Sequence, residues 1–567
     1  MSSVLSEEAI LLPKGSVGQR RPAVWAILIM NIANWFAYYG ITQAFKNFME
    51  DKLHYSKISA CTVRSTWTAF SSIVPLFGAY IGDERWGRYL ALEFFTAWFV
   101  GGAGLVALSA HPTILTQYLP LANVVFLVSL FAGIAVGVGV FHPNIVSFGA
   151  DQASALEASS KELFFSQYYL TANLGMTIAY TCLAYLSVNG MGQWIPLDYG
   201  YFATFLIAGA ILVVALVIFS AYSSTYVKAN PRHGAFTEVF SSMVESMKDC
   251  PELGFIVSGF GMFALSFHLN VVAILLPPTN TATTVITWIA GICVLLGMGS
   301  WIVHTLDVSF IDSHETLPHS VRSDLKQLLR MLLLACFHVM WQCVLDQMDV
   351  NFQSIAQQSD LRLASGRLAP GARSKTPTES KMVPCWPFLI PSGFYSSPPS
   401  WTTCYILAAF TMLWTAWVET WRRESGEIDL ADGLGPLLDL GTHKPMNNLS
   451  WLYIAVSYLL SSLCECLINI PSYEMFYTYV PLHWKSSSQA MRSFMLALGA
   501  NVASIFTLVF ARDIPDDLNQ GHLENMYYCM AVVAAINAAG FLYVIKTTNF
   551  VQAIEESFHN SKLQEES

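Results

Sequence analysis

The chain has 567 residues, of which 54% are hydrophobic and only 12% charged, with a formal net charge of −10 and a mean hydropathy of +0.46. A soluble protein of this length carries about twice that charged fraction, and an acidic balance without a basic patch argues against a nucleic-acid partner. Apolar runs of about 20 residues, each long enough to cross a bilayer core, recur from end to end and predict an all-α polytopic membrane protein.

The first 21 residues are polar and lack the apolar core of a cleavable leader. Arg20 and Arg21 stand before the first span and favour a cytoplasmic N-terminal tail, 1–21. Six spans follow, near 22–46, 60–82, 89–110, 120–148, 163–188 and 199–222, predicting an N-terminal helical bundle over 22–222. Between the second and third stands Gly78-Ala-Tyr-Ile-Gly82-Asp83-Glu-Arg85-Trp-Gly87-Arg88, which puts four formal charges within six residues. Gly78 and Gly82 lie four apart and leave one helix face bare for a close neighbour. Asp83 is placed to accept hydrogen bonds from a helix N-terminus, and Arg85 and Arg88 favour the cytoplasmic side. An ordinary cytoplasmic turn satisfies the same pattern.

The polar stretch 223–251 carries Phe236, Val239, Phe240, Met243 and Met247 at three- and four-residue intervals, predicting an amphipathic cytoplasmic linker. A transmembrane hairpin, 252–306, comes next, then a C-terminal helical bundle over 307–546 and a cytoplasmic tail, 547–567. Within that bundle, spans are expected near 325–347, 401–421, 451–475, 488–511 and 524–546. Two bundles with an inserted hairpin make a transporter-like architecture. Residues 359–400 do not fit it. They are rich in Pro, Ser, Gly and Arg, and their most apolar piece, Val383–Pro391, is far short of a crossing. About thirteen spans result, whereas two cytoplasmic termini require an even number; either a short Pro-broken helix crosses near 383–398 or the segment is aberrant.

The eleven cysteines are scattered, mostly inside spans, without metal-ligand spacing. No HExxH or GxSxG motif is present. No enzyme chemistry, metal or cofactor is expected. The remaining charges in or near spans read plainly. Arg64 and Glu93 lie near span ends, Glu419-Thr-Trp-Arg422-Arg423 reads as an interfacial stop, and Glu465 is a candidate second intramembrane acid. Asn448-Leu-Ser450 is a candidate glycosylation acceptor.

Several stretches together resemble the proton-coupled oligopeptide transporter family of the major facilitator superfamily. The Gly78–Arg88 motif resembles the superfamily's loop between its second and third helices. Gly137-Val-Gly139-Val-Phe-His142-Pro143-Asn144 resembles the family's fourth-helix Gly-x-Gly-x-x-Lys-Pro-Asn. Phe164-Phe-Ser-Gln-Tyr168-Tyr169-Leu-Thr-Ala-Asn173-Leu-Gly175 resembles its fifth-helix signature, an aromatic pair followed by Asn-x-Gly. Asp346-Gln347 with Asn351 and Gln353 is similar to the end of helix seven, and Glu474-Met-Phe-Tyr477-Thr-Tyr-Val-Pro481 to the helix-ten Glu-x-x-Tyr-x-x-Ala-Pro. The resemblance implies a major facilitator fold of two six-helix bundles, here with helix eight short or aberrant.

The departures are as informative. Helix one of the family reads Glu-x-x-Glu-Arg-Phe-x-Tyr-Tyr-Gly; here it is Asn31-Ile-Ala-Asn34-Trp35-Phe36-Ala-Tyr38-Tyr39-Gly40, with Thr42 at a position often held by arginine. The helix-four lysine is His142. Asparagine cannot titrate in the working range, so the usual helix-one proton path is absent. By the resemblance, Tyr38, Tyr39, Asn173, Gln347 and Glu474 are the substrate-binding candidates, although Tyr38 and Tyr39 equally suit interhelical packing. His142, Glu474 and Asp346 are the gate and proton-coupling candidates. Histidine titrates near about 6.5 where lysine holds its proton to about 10.4, so a His142–Glu474 contact is expected to close when both are charged. A neutral core histidine bonded to a backbone carbonyl is the alternative.

The expected function is secondary active transport of small peptides or peptide-like solutes by alternating access, as a proton symporter with altered coupling. The alternatives are an exporter or facilitator of a non-peptide metabolite, or a non-transporting receptor on the same fold. The expected partners are the small-molecule substrate, protons and the lipid bilayer, with the plasma membrane favoured over an internal one.

Overall fold

The computed structural model describes residues 17–547 except 56, 155–159, 229–230, 232–240, 242, 248–249, 277–280, 314–318, 349–350, 363–398, 430–435, 439–443, 479, 481–483 and 516. Most of both terminal tails, about half of the amphipathic linker and most of the irregular 359–400 segment therefore lie outside the described residues.

In hydrocarbon a backbone amide finds its partner only within its own segment, so long apolar runs must become helices. The first six are α1 (Val17–Thr42), α2 (Lys57–Tyr80), α3 (Arg88–Ser109), α4, α5 and α6 (Gly200–Ala221). Helix α4 joins Leu119–Val128 to Val136–Ser154 through a π-helical turn, and α5 joins Ser160–Ile178 to Ala184–Asn189 in the same way. The hairpin is α7 (Pro251–Leu275) and α8 (Thr281–Thr305). Then come α9 (His319–Asp346), α10 (Pro399–Glu424), α11 (Leu452–Thr478), α12 (Lys485–Val509) and α13 (Leu523–Thr547). Eleven helices among the described residues are long and apolar enough to cross a membrane; α2 and α5 add two further long ones. Among the described residues the bridges outside helices are isolated ones, between residues 360 and 450.

The chain forms two compact units. The first is the chain up to Met243 with Ile274–Pro277 and Ser472–Phe494; the second is Val244–Ala273, Pro278–Pro471 and the chain from Met495 onward.

In the first unit, glycines set the helix spacing. A Cβ on Gly78 would stand 2.4 Å from Val140 Cα, and one on Gly139 2.5 Å from the Val74 side chain, so α2 and α4 cross backbone to backbone. Asn144 locks the crossing, its Nδ2 donating to the carbonyls of Gly78 at 2.8 Å and Val140 at 2.7 Å. Gly137 turns the other face of α4 to α3, where a Cβ would meet the Phe95 carbonyl at 3.0 Å. Gly175 does the same for α5 against α1, 2.4 Å from the Ile32 carbonyl. After α2 the chain makes a π-helical turn, Ile81–Arg85, and Gly87 enters α3 at φ 82°, a left-handed value that favours glycine.

In the second unit, Trp301 of α8 fills the space over Gly259 of α7 and donates to the Ile256 carbonyl at 2.9 Å, closing the hairpin. Asn270 of α7 then reaches Asn501 of α12 at 2.6 Å. At one end of this unit sits a polar knot. Fully buried Arg422 makes a bidentate pair with Glu419 (2.8 and 2.7 Å) and donates to Asn519 Oδ1 at 2.7 Å. The Arg422 carbonyl accepts from Asn447 Nδ2 at 2.9 Å, and Arg423 pairs with Glu524. The Glu419–Arg423 run is thus not a solvated interfacial stop. Its charges are turned inward because loop groups from residues 447 and 519 satisfy them.

Helices α9 and α10 run parallel. His338 meets Trp401 with ring centroids 4.8 Å apart, and some 20 residues further along both chains Arg422 reaches the Gln358 carbonyl. The expected irregular piece near 383–398 lies outside the described residues.

Gly78→Leu is expected to cost about 3 kcal/mol or to prevent folding, because its neighbour is backbone and has nowhere to move. Gly104→Leu, at a site with open space around it, should leave thermal unfolding in detergent unchanged.

Candidate functional site

Two polar constellations stand out in the first unit. The first lies within the membrane-spanning lengths of α1, α4 and α5. Helical spacing sets Asn31, Asn34, Trp35 and Tyr38 on one side of α1. Asn31 Nδ2 donates to the Tyr168 carbonyl and to Thr171 Oγ1, both at 2.9 Å, tying α1 to α5. Asn34 Nδ2 meets His142 Nε2 of α4 at 3.1 Å. The His142 ring stacks on Trp35 with centroids 4.4 Å apart and meets Tyr38 edge-on at 5.9 Å. Tyr39 stacks on the other side of Trp35 at 5.6 Å and touches Tyr180 at 5.3 Å.

The imidazole is thus held by an amide and two aromatic rings, and the charged group within its electrostatic reach is Arg492 of α12. Arg492 lies over the Tyr473 ring at 3.9 Å, and Tyr473 meets Tyr168 edge-on at 5.3 Å. Half-buried Glu474 is the next residue along α11. Asn173 is buried and donates to the Tyr169 carbonyl at 2.9 Å. Its motif partner Gly175 acts by admitting α1.

The second constellation is a charged clasp. Arg88 Nε and Nη2 donate to Asp83 Oδ1 at 3.0 and 2.9 Å, and Nη1 to Asp151 Oδ2 at 2.5 Å. The other Asp83 oxygen accepts the backbone N–H and hydroxyl of Ser487 at 2.8 and 3.0 Å, in the first turn of α12. Backbone amides and dipole at a helix N-terminus both favour an anion there. Arg88 Nε also reaches Ser486 Oγ at 2.9 Å. Asp151 closes the ring: Tyr477 of α11 donates to it at 2.5 Å, and Lys485 stands 3.5 Å away with its ammonium over the Tyr477 ring. Two carboxylates and two cations balance, which buried charge requires. Arg85 is exposed and bonds Tyr80 at 2.8 Å, outside the clasp.

The structure therefore gathers Tyr38, Tyr39, His142 and Trp35 into one cluster, with Asn173 and Glu474 in the same unit. Gln347 and Asp346 belong to the second unit. There Gln347 is buried and its Oε1 accepts from Asn351 at 2.7 Å, while Asp346 accepts from Gln342 at 2.7 Å. Asp151, Lys485, Ser486, Ser487 and Arg492 escaped sequence reasoning. The signal was present for most of them: a lone acid ending the fourth span, and a Lys-Ser-Ser-Ser run opening the twelfth.

Replacing Arg88 by Gln is expected to cost about 3–5 kcal/mol, because two buried carboxylates lose their shared cation. Arg88→Lys should recover only part of that loss, since an ammonium cannot span both acids as the guanidinium does. Thermal unfolding of the two variants in one detergent checks the order.

The comparisons with known proteins agree with this architecture. The model of the POT family (PTR2) matches residues 92–369. Protein NRT1/PTR family 8.3 of Arabidopsis thaliana is 25% identical, over 89% of this chain and 88% of its own length. Protein NRT1/PTR family 7.2 of the same plant is 23% identical over 98% and 95%. Among solved structures, an auto-inhibited POT family peptide transporter superposes with a TM-score of 0.59 at 16% identity, covering 93% of this chain and 97% of that one. The POT family transporter PepTSo gives 0.59 at 17%, covering 92% and 98%. The fold is accordingly the major facilitator fold with an inserted hairpin; among the described residues six long helices precede that hairpin and five follow it. The chain matches the POT family model over residues 92–369 and is similar to NRT1/PTR proteins along most of its length, so it reads as a multi-pass membrane protein resembling transporters rather than enzymes.

Proposed function

We propose that the chain moves small peptides or peptide-like solutes across the plasma membrane by alternating access, with proton coupling that bypasses the first helix. The observation that carries this reading is the polar and aromatic cluster of Asn34, Trp35, Tyr38 and His142 inside membrane-spanning helices. Polar groups at that depth are costly and mark a solute or ion pathway. Tyr38, Tyr39 and Asn173, with Glu474 and Gln347, offer hydroxyl, amide and carboxylate groups suited to a zwitterion's termini and amide bonds. Supporting it, one structural neighbour is a POT family transporter in complex with 5-aminolevulinic acid, a small amino acid, with a TM-score of 0.57.

Protons enter through His142, Glu474 and Asp346, because Asn31 and Asn34 carry none. A second reading is a facilitator or exporter of a non-peptide metabolite. It is favoured by one observation: both α1 amides are engaged by neighbouring helices where the family's pattern carries charge.

Uptake of a labelled dipeptide into proteoliposomes over a pH series separates the readings. Symport gives accumulation that follows an inward proton gradient, and Glu474→Gln should abolish that accumulation while sparing substrate counterflow. His142→Ala should change the pH profile of uptake, and an unchanged profile removes His142 from the coupling path. Accumulation that ignores the proton gradient selects the facilitator, and dipeptide binding without flux selects a receptor.

A further inference from the structure

The second unit contains a cavity of about 490 Å³ where the end of α8, the start of α9 and the end of α13 converge. Its walls combine two cations, Lys326 and Arg330, with Leu333, Leu334 and Tyr543. The order of these residues along the helices is informative. On α9 the run Lys326, Arg330, Leu333, Leu334 occupies one helical face and passes from basic to apolar as the helix goes inward. On α13, running the opposite way, Tyr543 and Val544 precede Thr547 at the helix end. On both walls the polar residues stand toward the helix end and the apolar ones further along the helix.

The side of the membrane follows from the chain. The Arg85–Arg88 turn faces the cytoplasm by its basic charge. Counting alternate crossings from α3, helix α8 arrives and α9 departs on that same side. The cavity therefore opens at the level of the cytoplasmic leaflet, which carries the anionic lipids.

We infer that this cavity is a binding site for an anionic phospholipid, its phosphate-bearing headgroup held by Lys326 and Arg330 and its acyl chain entering along Leu333, Leu334 and Tyr543. A soluble phosphate would use the cations and leave the apolar depth without purpose; a lipid uses both. Asp307 also lines the mouth. Its carboxylate accepts the Ser309 backbone N–H at 2.9 Å, which holds it below the usual carboxylate range and keeps it charged. It opposes the anion, so affinity reflects two cations against one acid.

The test uses the full chain, purified in neutral detergent and stripped of lipid, with binding followed by native mass spectrometry and thermal shift. Phosphatidylserine is expected to bind and raise the melting temperature, whereas phosphatidylcholine and inorganic phosphate are not. Lys326→Gln with Arg330→Gln should weaken phosphatidylserine binding about thirtyfold, at about fivefold per surface cation. Lys326→Arg with Arg330→Lys should hold affinity within a few-fold, which separates lost charge from lost fold. Asp307→Asn should tighten binding several-fold. Two results overturn the inference: the double-Gln protein binding phosphatidylserine as the parent does, or inorganic phosphate at millimolar concentration stabilising the protein as well as the lipid.

Discussion

A guanidinium shared between two buried carboxylates anchors the first unit. Arg88 has to satisfy Asp83 and Asp151 together, since either acid left alone away from water would be strongly destabilising. That requirement brings the turn after α2 and the end of α4 to one point, where Tyr477 of α11 and Ser487 of α12 also bond the two acids. Asp83 then spends its second oxygen on the first turn of α12. Asp83 sits in the middle of the π-helical turn Ile81–Arg85, and Gly87 swings the chain into α3, whose first residue is Arg88.

The same physics reads differently in the cluster around His142. Where the clasp keeps formal charge and balances it, the first helix carries amides and passes their hydrogen bonds to α4 and α5. Neutral groups avoid the desolvation cost of ions, and they give up the ability to hold or release a proton. The motif residues divide accordingly. Gly137, Gly139, Asn144 and Gly175 are packing devices that let backbones touch, whereas His142, Tyr38 and Tyr39 are the side chains with chemistry to offer.

In the second unit the polar knot around Arg422 plays the part that Arg88 plays in the first. Loop groups far apart in sequence, at Gln358, Asn447 and Asn519, converge on one arginine. They hold the ends of α10 and α13 in place. The tight packing of Trp401 and Tyr405 against Phe541 continues that contact down the helices.

Much of this was legible in the chain itself. Apolar run length alone set the helices, because a bilayer core has one thickness and a helix one rise per residue. The spacing of Gly78 and Gly82 announced a close crossing, and the position of Asp83 announced an anion seeking a helix N-terminus; the tertiary structure supplied the α4 backbone and the first turn of α12. The partners of those groups were not legible. The amide that answers His142 lies 108 positions away, the second acid that answers Arg88 63 away, and the Asn519 that holds Arg422 inward 97 away. Side-chain identity records what a group needs; only the packed helices decide who provides it. Sequence also could not orient α10, whose direction follows from its parallel contact with α9.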